Sequence, residues 1–254
     1  MRAALASAGD LGMFFGLADP ASEPVGWQPA GSLYALHRGG PLDVILESVR
    51  AKLGGCEPRI AASLFFQGYA SRLLSPQLGC IALAGCVPEM RAECVFWRRP
   101  AGETIALGMT PGPGWAGSGE ILIEQVVRAS FEEHLQPLTT ALQARVGIAE
   151  GLLRGNAAAA LIGGLRLLSE YLGPSWIDLA ARALAQPCLR GCGSLQEQEP
   201  VYVRRSCCLY YRVSSGEKCG DCPLTIRVPP RENDPSRRLK KNRGPERPPR
   251  RYSN

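Results

Sequence analysis

With 254 residues, 45% of them apolar and 20% charged, the chain is long enough to bury a full core, which excludes a miniature scaffold dependent on disulfide staples. Its formal charge of +6 does not mark the whole protein as a polyanion binder, because the segment from Arg231 onward carries nine Lys or Arg against three acids and accounts for all of the excess. The remainder is neutral, so any binding driven by bulk charge is confined to that tail.

The opening "MRAALASAGDLGMFFGL" has too short an apolar run before Asp10 for the core of a secretory signal. The most apolar stretch, "NAAAALIGGLRLL", is interrupted by Arg166 and falls short of the roughly 20 residues that a membrane span needs. The expectation is a soluble, cytoplasmic protein with no membrane span, in which clustered thiols serve as metal ligands or redox groups rather than cystines.

In "PLDVILESVRAKLGG", Leu42, Ile45, Leu46, Val49 and Leu53 form one helical stripe, opened near Pro41 and closed by Gly54 and Gly55. The pattern over 58–75 is also helical, with Gly68 weakening it and Pro76 expected to end it. Two strand-like runs, Cys94 to Arg98 and Thr104 to Met109, flank a Pro-Ala-Gly turn and predict a hairpin. Helical patterns then extend from about Glu120 to Leu172, with breaks expected around Pro137, Gly147 and Gly155. A last helix is predicted to start with Ser175 as its N-cap and to end before Pro187.

These elements predict a helix-rich α+β globular domain over 1–195, a small C-terminal cysteine hairpin or knuckle over 196–230, and a disordered basic tail over 231–254. The tail is polar, charged and proline-rich, a composition that does not offset its ordering entropy. It acts either as a solubilising terminus or as a dock for an acidic partner. No fixed-period repeat points to a solenoid. The Gly-rich "GMTPGPGWAGSG" lacks both the P-loop ending and the dinucleotide fingerprint, so no nucleotide or flavin site is predicted. Trp115 within it is expected in core packing, with a ligand cleft as the alternative. His37 and His134 are too far apart to suggest a local metal pair.

The chemistry concentrates in "RRSCCLYYRVSSGEKCGDCPL", 204–224, where Cys207, Cys208, Cys219 and Cys222 follow a Cys-Cys-x10-Cys-x2-Cys spacing. Cys219-Gly-Asp-Cys222 has the form of a metal knuckle, with Gly220 letting both sulfurs turn to one point. The adjacent pair falls in a strand-like run, "VYVRRSCCLYYRV", where neighbouring side chains point to opposite faces, so chelation of one ion by both requires a local kink. A two-iron cluster spreads its ligands over two centres and relaxes that demand. Spacing leans toward iron–sulfur and leaves zinc open.

This stretch resembles the C-terminal 2Fe-2S motif of the FhuF-like ferric siderophore reductases, which share the spacing. A looser similarity covers "LLRGNAAAAL", 152–161, where Arg154 stands in place of the tryptophan that family members often carry before Gly-Asn. The resemblance implies that Cys207, Cys208, Cys219 and Cys222 ligate a 2Fe-2S cofactor and that no catalytic residue is needed beyond the cluster. It also implies one-electron reduction of ferric iron in an imported siderophore, of hydroxamate type, with release of ferrous iron in the cytoplasm. Electrons would come from an outside donor such as a ferredoxin or flavoprotein, and no specific nucleic acid is implied.

Two further readings stay beside it: a zinc-stabilised four-cysteine adaptor binding nucleic acid through its tail, and an iron–sulfur carrier or sensor with no chelate site. Arg204, Arg205, Tyr210, Tyr211, Lys218 and Asp221 are candidates for supporting or docking groups, with a half-buried sheet face as the plainer reading. Arg204 and Arg205 are further candidates for steering an anionic chelate or acidic donor. Cys56, Cys80, Cys86 and Cys94 read as small hydrophobes. Cys188 and Cys192, just upstream, are candidates for alternative ligands or a redox pair.

Overall fold

The computed structural model describes residues 1–196 and 201–225; the basic tail over 231–254 lies outside them. Eight α-helices are present among these residues: α1 Arg2–Gly9, α2 Pro41–Lys52, α3 Pro58–Ala84, α4 Gly119–Ser130, α5 Gln136–Gln143, α6 Glu150–Leu167, α7 Ser169–Leu172 and α8 Ser175–Ala185. The strands are short: β1 Gln28–Pro29, β2 Cys86–Pro88, β3 Val95–Arg98, β4 Ala106–Met109, β5 Gly114–Ala116, β6 Gly193–Leu195 and β7 Tyr202–Arg204. They form three small antiparallel sheets, ordered β1-β3-β4, β2-β5 and β6-β7. The architecture is helix-rich α+β, as the sequence patterns predict.

Helix α3 is the axis of the core. It packs against α1, α2, α4 and α6, so its side chains meet protein on nearly every side, and its sequence is apolar all round rather than striped. No helix among the described residues is long and apolar enough to cross a membrane. The closest partner of α3 is α6, where a Cβ at Gly164 would come within 2.8 Å of Leu78. The bare glycine lets the two backbones approach.

The predicted stripe of α2 is observed, with Leu42, Ile45, Leu46 and Val49 buried. The hairpin is also observed, with Val95 opposite Met109 and Arg98 opposite Ala106. Four expectations are corrected. Pro76 does not end α3, which continues to Ala84; burial of the surrounding turns outweighs the roughly 3 kcal/mol that an interior proline costs. Gly155 does not break α6; it sits inside that helix because of what packs on it, described below. Ser175 is not the N-cap of α8, since Pro174 occupies that place and the Ser175 hydroxyl donates instead to the Leu172 carbonyl at 2.5 Å. The break near Gly147 is present between α5 and α6. The break expected around Pro137 is absent: the chain stays helical from Gly119 to Gln143, passing through a π-helical turn, Phe131–Leu135, just before the proline.

Candidate functional site

Strand β7 ends at Arg204, so the adjacent cysteines are not strand residues. The chain bends at Arg205 and Ser206, Leu209 takes a left-handed backbone with φ of 71°, and Tyr210–Arg212 form a 3-10 turn. Positive φ at a leucine is uncommon and persists only where surroundings fix it. This bend removes the alternation expected of a strand and turns the run back toward Cys219–Cys222. Tyr210 and Tyr211 therefore lie on an exposed turn rather than on a hairpin face.

All four cysteines are free thiols, and the bend brings one member of each half of the motif into contact. The sulfurs of Cys208 and Cys219 are 3.1 Å apart, and the Cys207 sulfur accepts from the Leu209 backbone N–H at 3.3 Å. Cys208 and Cys222 are 2% and 1% exposed, whereas Cys207 and Cys219 lie partly open to solvent. Among the described residues, no three or more His, Cys, Asp or Glu side chains form a group able to hold a metal ion. Burial, followed by the contact with Cys208, pushes the Cys219 thiol up to about 12, and burial also raises that of Cys207. Both shifts favour protonated thiols, and an incoming metal must displace those protons.

Behind the cysteines lies a buried polar network that ties this loop to the helical core. Arg204, only 1% exposed, donates from Nε to Asp221 Oδ2 at 2.7 Å and from Nη1 to Asn156 Oδ1 at 2.9 Å. Asn156 on α6 donates in turn to the carbonyl and hydroxyl of Ser63, both at 2.9 Å. The Ser63 hydroxyl, on α3, donates to the Cys208 carbonyl at 2.7 Å. Burial opposes the charge on Arg204, yet Asp221 and the thiols at 208 and 219 raise its pKa above the usual guanidinium value.

A second seam lies alongside. Ser206 donates to the Gly151 carbonyl at 3.2 Å, and a Cβ at Gly155 would collide with the Ser206 side chain. Gly155 is thus the recess in α6 that seats the cysteine loop.

These contacts revise the expected roles. Arg204 does not steer ligands from the surface; it is buried because Asp221 and Asn156 satisfy its donors. Asp221 is its partner. Arg205 and Lys218 are exposed. Arg154 donates to the Cys188 and Pro187 carbonyls at 2.6 and 3.2 Å, a contact that secures the turn leading to β6. Cys192 is in the core and Cys188 packs against it; burial raises the Cys188 thiol. Cys80 is likewise raised, to about 12, by burial, and Cys56 and Cys86 pack against the core, as expected of small hydrophobes. Trp115 is exposed on β5 rather than packed in the core.

Sequence reasoning missed Ser63 and Asn156. The available signal was a lone amide within the apolar run of α6, since a polar side chain surrounded by alanines and leucines needs a buried partner.

Residues 204–224 match the family model of the FhuF 2Fe-2S C-terminal domain. No curated protein matches the chain. The match covers all four cysteines and resolves the choice that spacing left between zinc and iron–sulfur. Residues 204–224, with all four cysteines, are thus a segment of the FhuF 2Fe-2S C-terminal type, and the cofactor this segment indicates is a 2Fe-2S cluster.

Proposed function

We propose that the protein reduces ferric iron held in a siderophore, an oxygen-donor chelate of hydroxamate type, by one electron. The observation that carries this reading is the split in exposure within the cysteine set: Cys208 and Cys222 buried, Cys207 and Cys219 partly open. Cys207, Cys208, Cys219 and Cys222 would hold the cofactor. A 2Fe-2S cluster bound there supplies electrons one at a time.

The chain's own residues set the conditions for that transfer. Cys208 and Cys222 exclude water from the inner side, and the open side leaves a short path to a docked acceptor. Arg204 places a fixed positive charge beside the sulfurs of Cys208 and Cys219, which favours the reduced state. The Ser63–Asn156 link holds the loop in place and limits the rearrangement that transfer requires.

Fe(III) is a hard cation that hydroxamate oxygens hold far more firmly than Fe(II). The substrate iron takes one electron, becomes ferrous and loosens in the chelate, while an external donor such as a ferredoxin or flavoprotein restores the protein. No proton transfer by a side chain is required.

Anaerobic stopped-flow spectroscopy tests this reading. Pre-reduced protein mixed with a ferric trihydroxamate should regain its oxidised visible spectrum, with one ferrous ion trapped by a ferrous-specific chelator per electron. A reduced spectrum that persists against every ferric chelate tried would refute the reductase reading and leave an electron carrier or sensor.

A further inference from the structure

A cleft of about 210 Å³ opens between the start of α6, the turn before β6 and the segment that leads from β7 into the cysteine loop. Three arginines, Arg154, Arg190 and Arg205, line it, and no acidic residue does. Ser206, also in its wall, is the chain neighbour of Cys207, one of the two partly open cysteines.

Elsewhere in the molecule arginines are matched with carboxylates: Asp43 takes Arg145, Asp221 takes Arg204, and Glu120 and Glu124 share Arg182. The three in the cleft form no ion pair among the described residues. Their anchors are neutral. Arg154 is held through Nε and Nη2 by the Cys188 and Pro187 carbonyls, and Arg190 through Nη2 by the Ala185 carbonyl at 3.3 Å. A carbonyl fixes a guanidinium without cancelling its charge, so the cleft gathers cations and leaves them uncompensated. Their mutual repulsion is relieved when an anion enters. The nearby acids do not supply one: Glu150 opens α6 but does not line the cleft, and Glu132 is taken by Arg128.

The iron centre of a trihydroxamate is neutral, because three singly charged hydroxamates balance Fe(III), and it gains nothing from these cations. A carboxylate elsewhere on the chelate does, since its two oxygens match the fork of a guanidinium. We propose that this cleft binds a carboxylate carried by the ferric chelate, so that the preferred substrates are anionic hydroxamates; the inference rests on the reductase reading above. Pockets that enclose a whole drug-sized ligand span roughly 300–1,000 Å³. This cleft is smaller, so it takes the carboxylate with its adjoining methylenes and anchors the chelate beside the segment that carries Cys207.

The test compares two chelates that differ by one carboxylate, the N-acetyl and N-succinyl derivatives of desferrioxamine B. They are loaded with redox-inert gallium(III) for calorimetry and with iron(III) for stopped-flow oxidation of the reduced, cluster-loaded full chain. At low ionic strength the succinyl complex should bind about tenfold more tightly, the scale of a charge-assisted contact, and the preference should shrink as salt is added. Arg190→Gln and Arg205→Gln should each weaken the preference and together erase it, with the visible spectrum retained; Arg154 is left in place because it secures the turn leading to β6. Arg166→Gln, which removes a charge at an exposed position further along α6, should keep the preference. Equal affinities for the two complexes, a preference that survives the double variant, or one lost equally in Arg166→Gln would overturn the site, and the reductase reading stands as long as the iron complexes oxidise the protein. If neither iron complex does so, the reductase reading falls and this inference falls with it.

Discussion

Asn156 accepts a hydrogen bond from Arg204 at 2.9 Å while its amide nitrogen donates to Ser63, so one side chain of α6 connects the cysteine loop to the central helix. Both groups of the amide are occupied and the residue is fully buried. Asn156→Ala leaves one guanidinium donor of Arg204 without a partner in the interior and takes from Ser63 the bonds it accepts, at an expected cost of about 1–3 kcal/mol. Chemical denaturation of the cluster-loaded protein measures that loss. Arg204→Lys keeps the charge but not the forked geometry, so stability should fall with little change in midpoint potential. Arg204→Met removes the charge and should shift the midpoint to more negative values. Equal potentials in all three proteins would show that Arg204 acts only as a structural tie.

The four cysteines differ sharply from the two just upstream. Replacing Cys208 or Cys219 with Ser removes one member of a sulfur pair 3.1 Å apart, and iron, labile sulfide and the visible spectrum should all be lost or strongly altered. Cys188→Ser should retain all three, because Cys188 packs against the core and its carbonyl, rather than its sulfur, receives Arg154. Loss of cluster in Cys188→Ser would make it a ligand.

How far the sequence discloses this molecule depends on whether the deciding force is local. The stripe of α2 and the hairpin over β3 and β4 follow from periodicity and turn chemistry, which neighbouring residues determine. The cysteine spacing identifies the cofactor segment because metal ligation demands particular residue types at close intervals. The continuity of α3 through Pro76 and of α6 through Gly155 depends instead on elements distant in sequence: core packing in the first case, Ser206 in the second. Arg204 shows the same limit. An arginine beside another arginine reads as surface, and only the convergence of Asp221 and Asn156 makes its burial tolerable. The bend at Ser206 and the left-handed Leu209 escape detection because no glycine or proline marks them.

Two glycines eight positions apart in α6 should respond in opposite directions to the same change. At Gly155 an added methyl meets the Ser206 hydroxyl, so Gly155→Ala must turn that hydroxyl off the Gly151 carbonyl or shift the cysteine loop, with an expected loss of about 1–3 kcal/mol and slower cluster reconstitution. At Gly163 the space is open, and alanine restricts the unfolded chain and favours the helix, with an expected gain of about 0.5–1 kcal/mol. Denaturation midpoints of the two variants give the comparison. A neutral Gly155→Ala would mean that the loop is not seated on α6 as described.

His134 gives the fold a pH dependence whose direction follows from its partners. Its Nε2 lies 2.8 Å from the Met90 carbonyl, which can only accept, so Nε2 carries the proton and Nδ1 accepts from the Tyr34 hydroxyl at 2.6 Å. Tyr34 in turn accepts from Tyr69, also at 2.6 Å. This chain suits a neutral ring, and burial depresses the histidine pKa below its usual 6.5, with Met90 and Glu133 opposing the shift only in part. The unfolded chain takes up a proton near that usual value and the folded chain does not. Stability is therefore complete above about pH 6.5 and declines as the solution is acidified below it, by at most about 1.4 kcal/mol per pH unit. The carboxylates with depressed pKa values, Asp19, Glu23 and Asp43, lose their contributions only in more acidic solution, so the interval from about pH 6.5 to about 5.5 isolates the histidine. Urea denaturation across that interval should show the decline in the unmodified protein and a much flatter profile in His134→Gln. An unchanged slope in the variant would assign the pH dependence to another group.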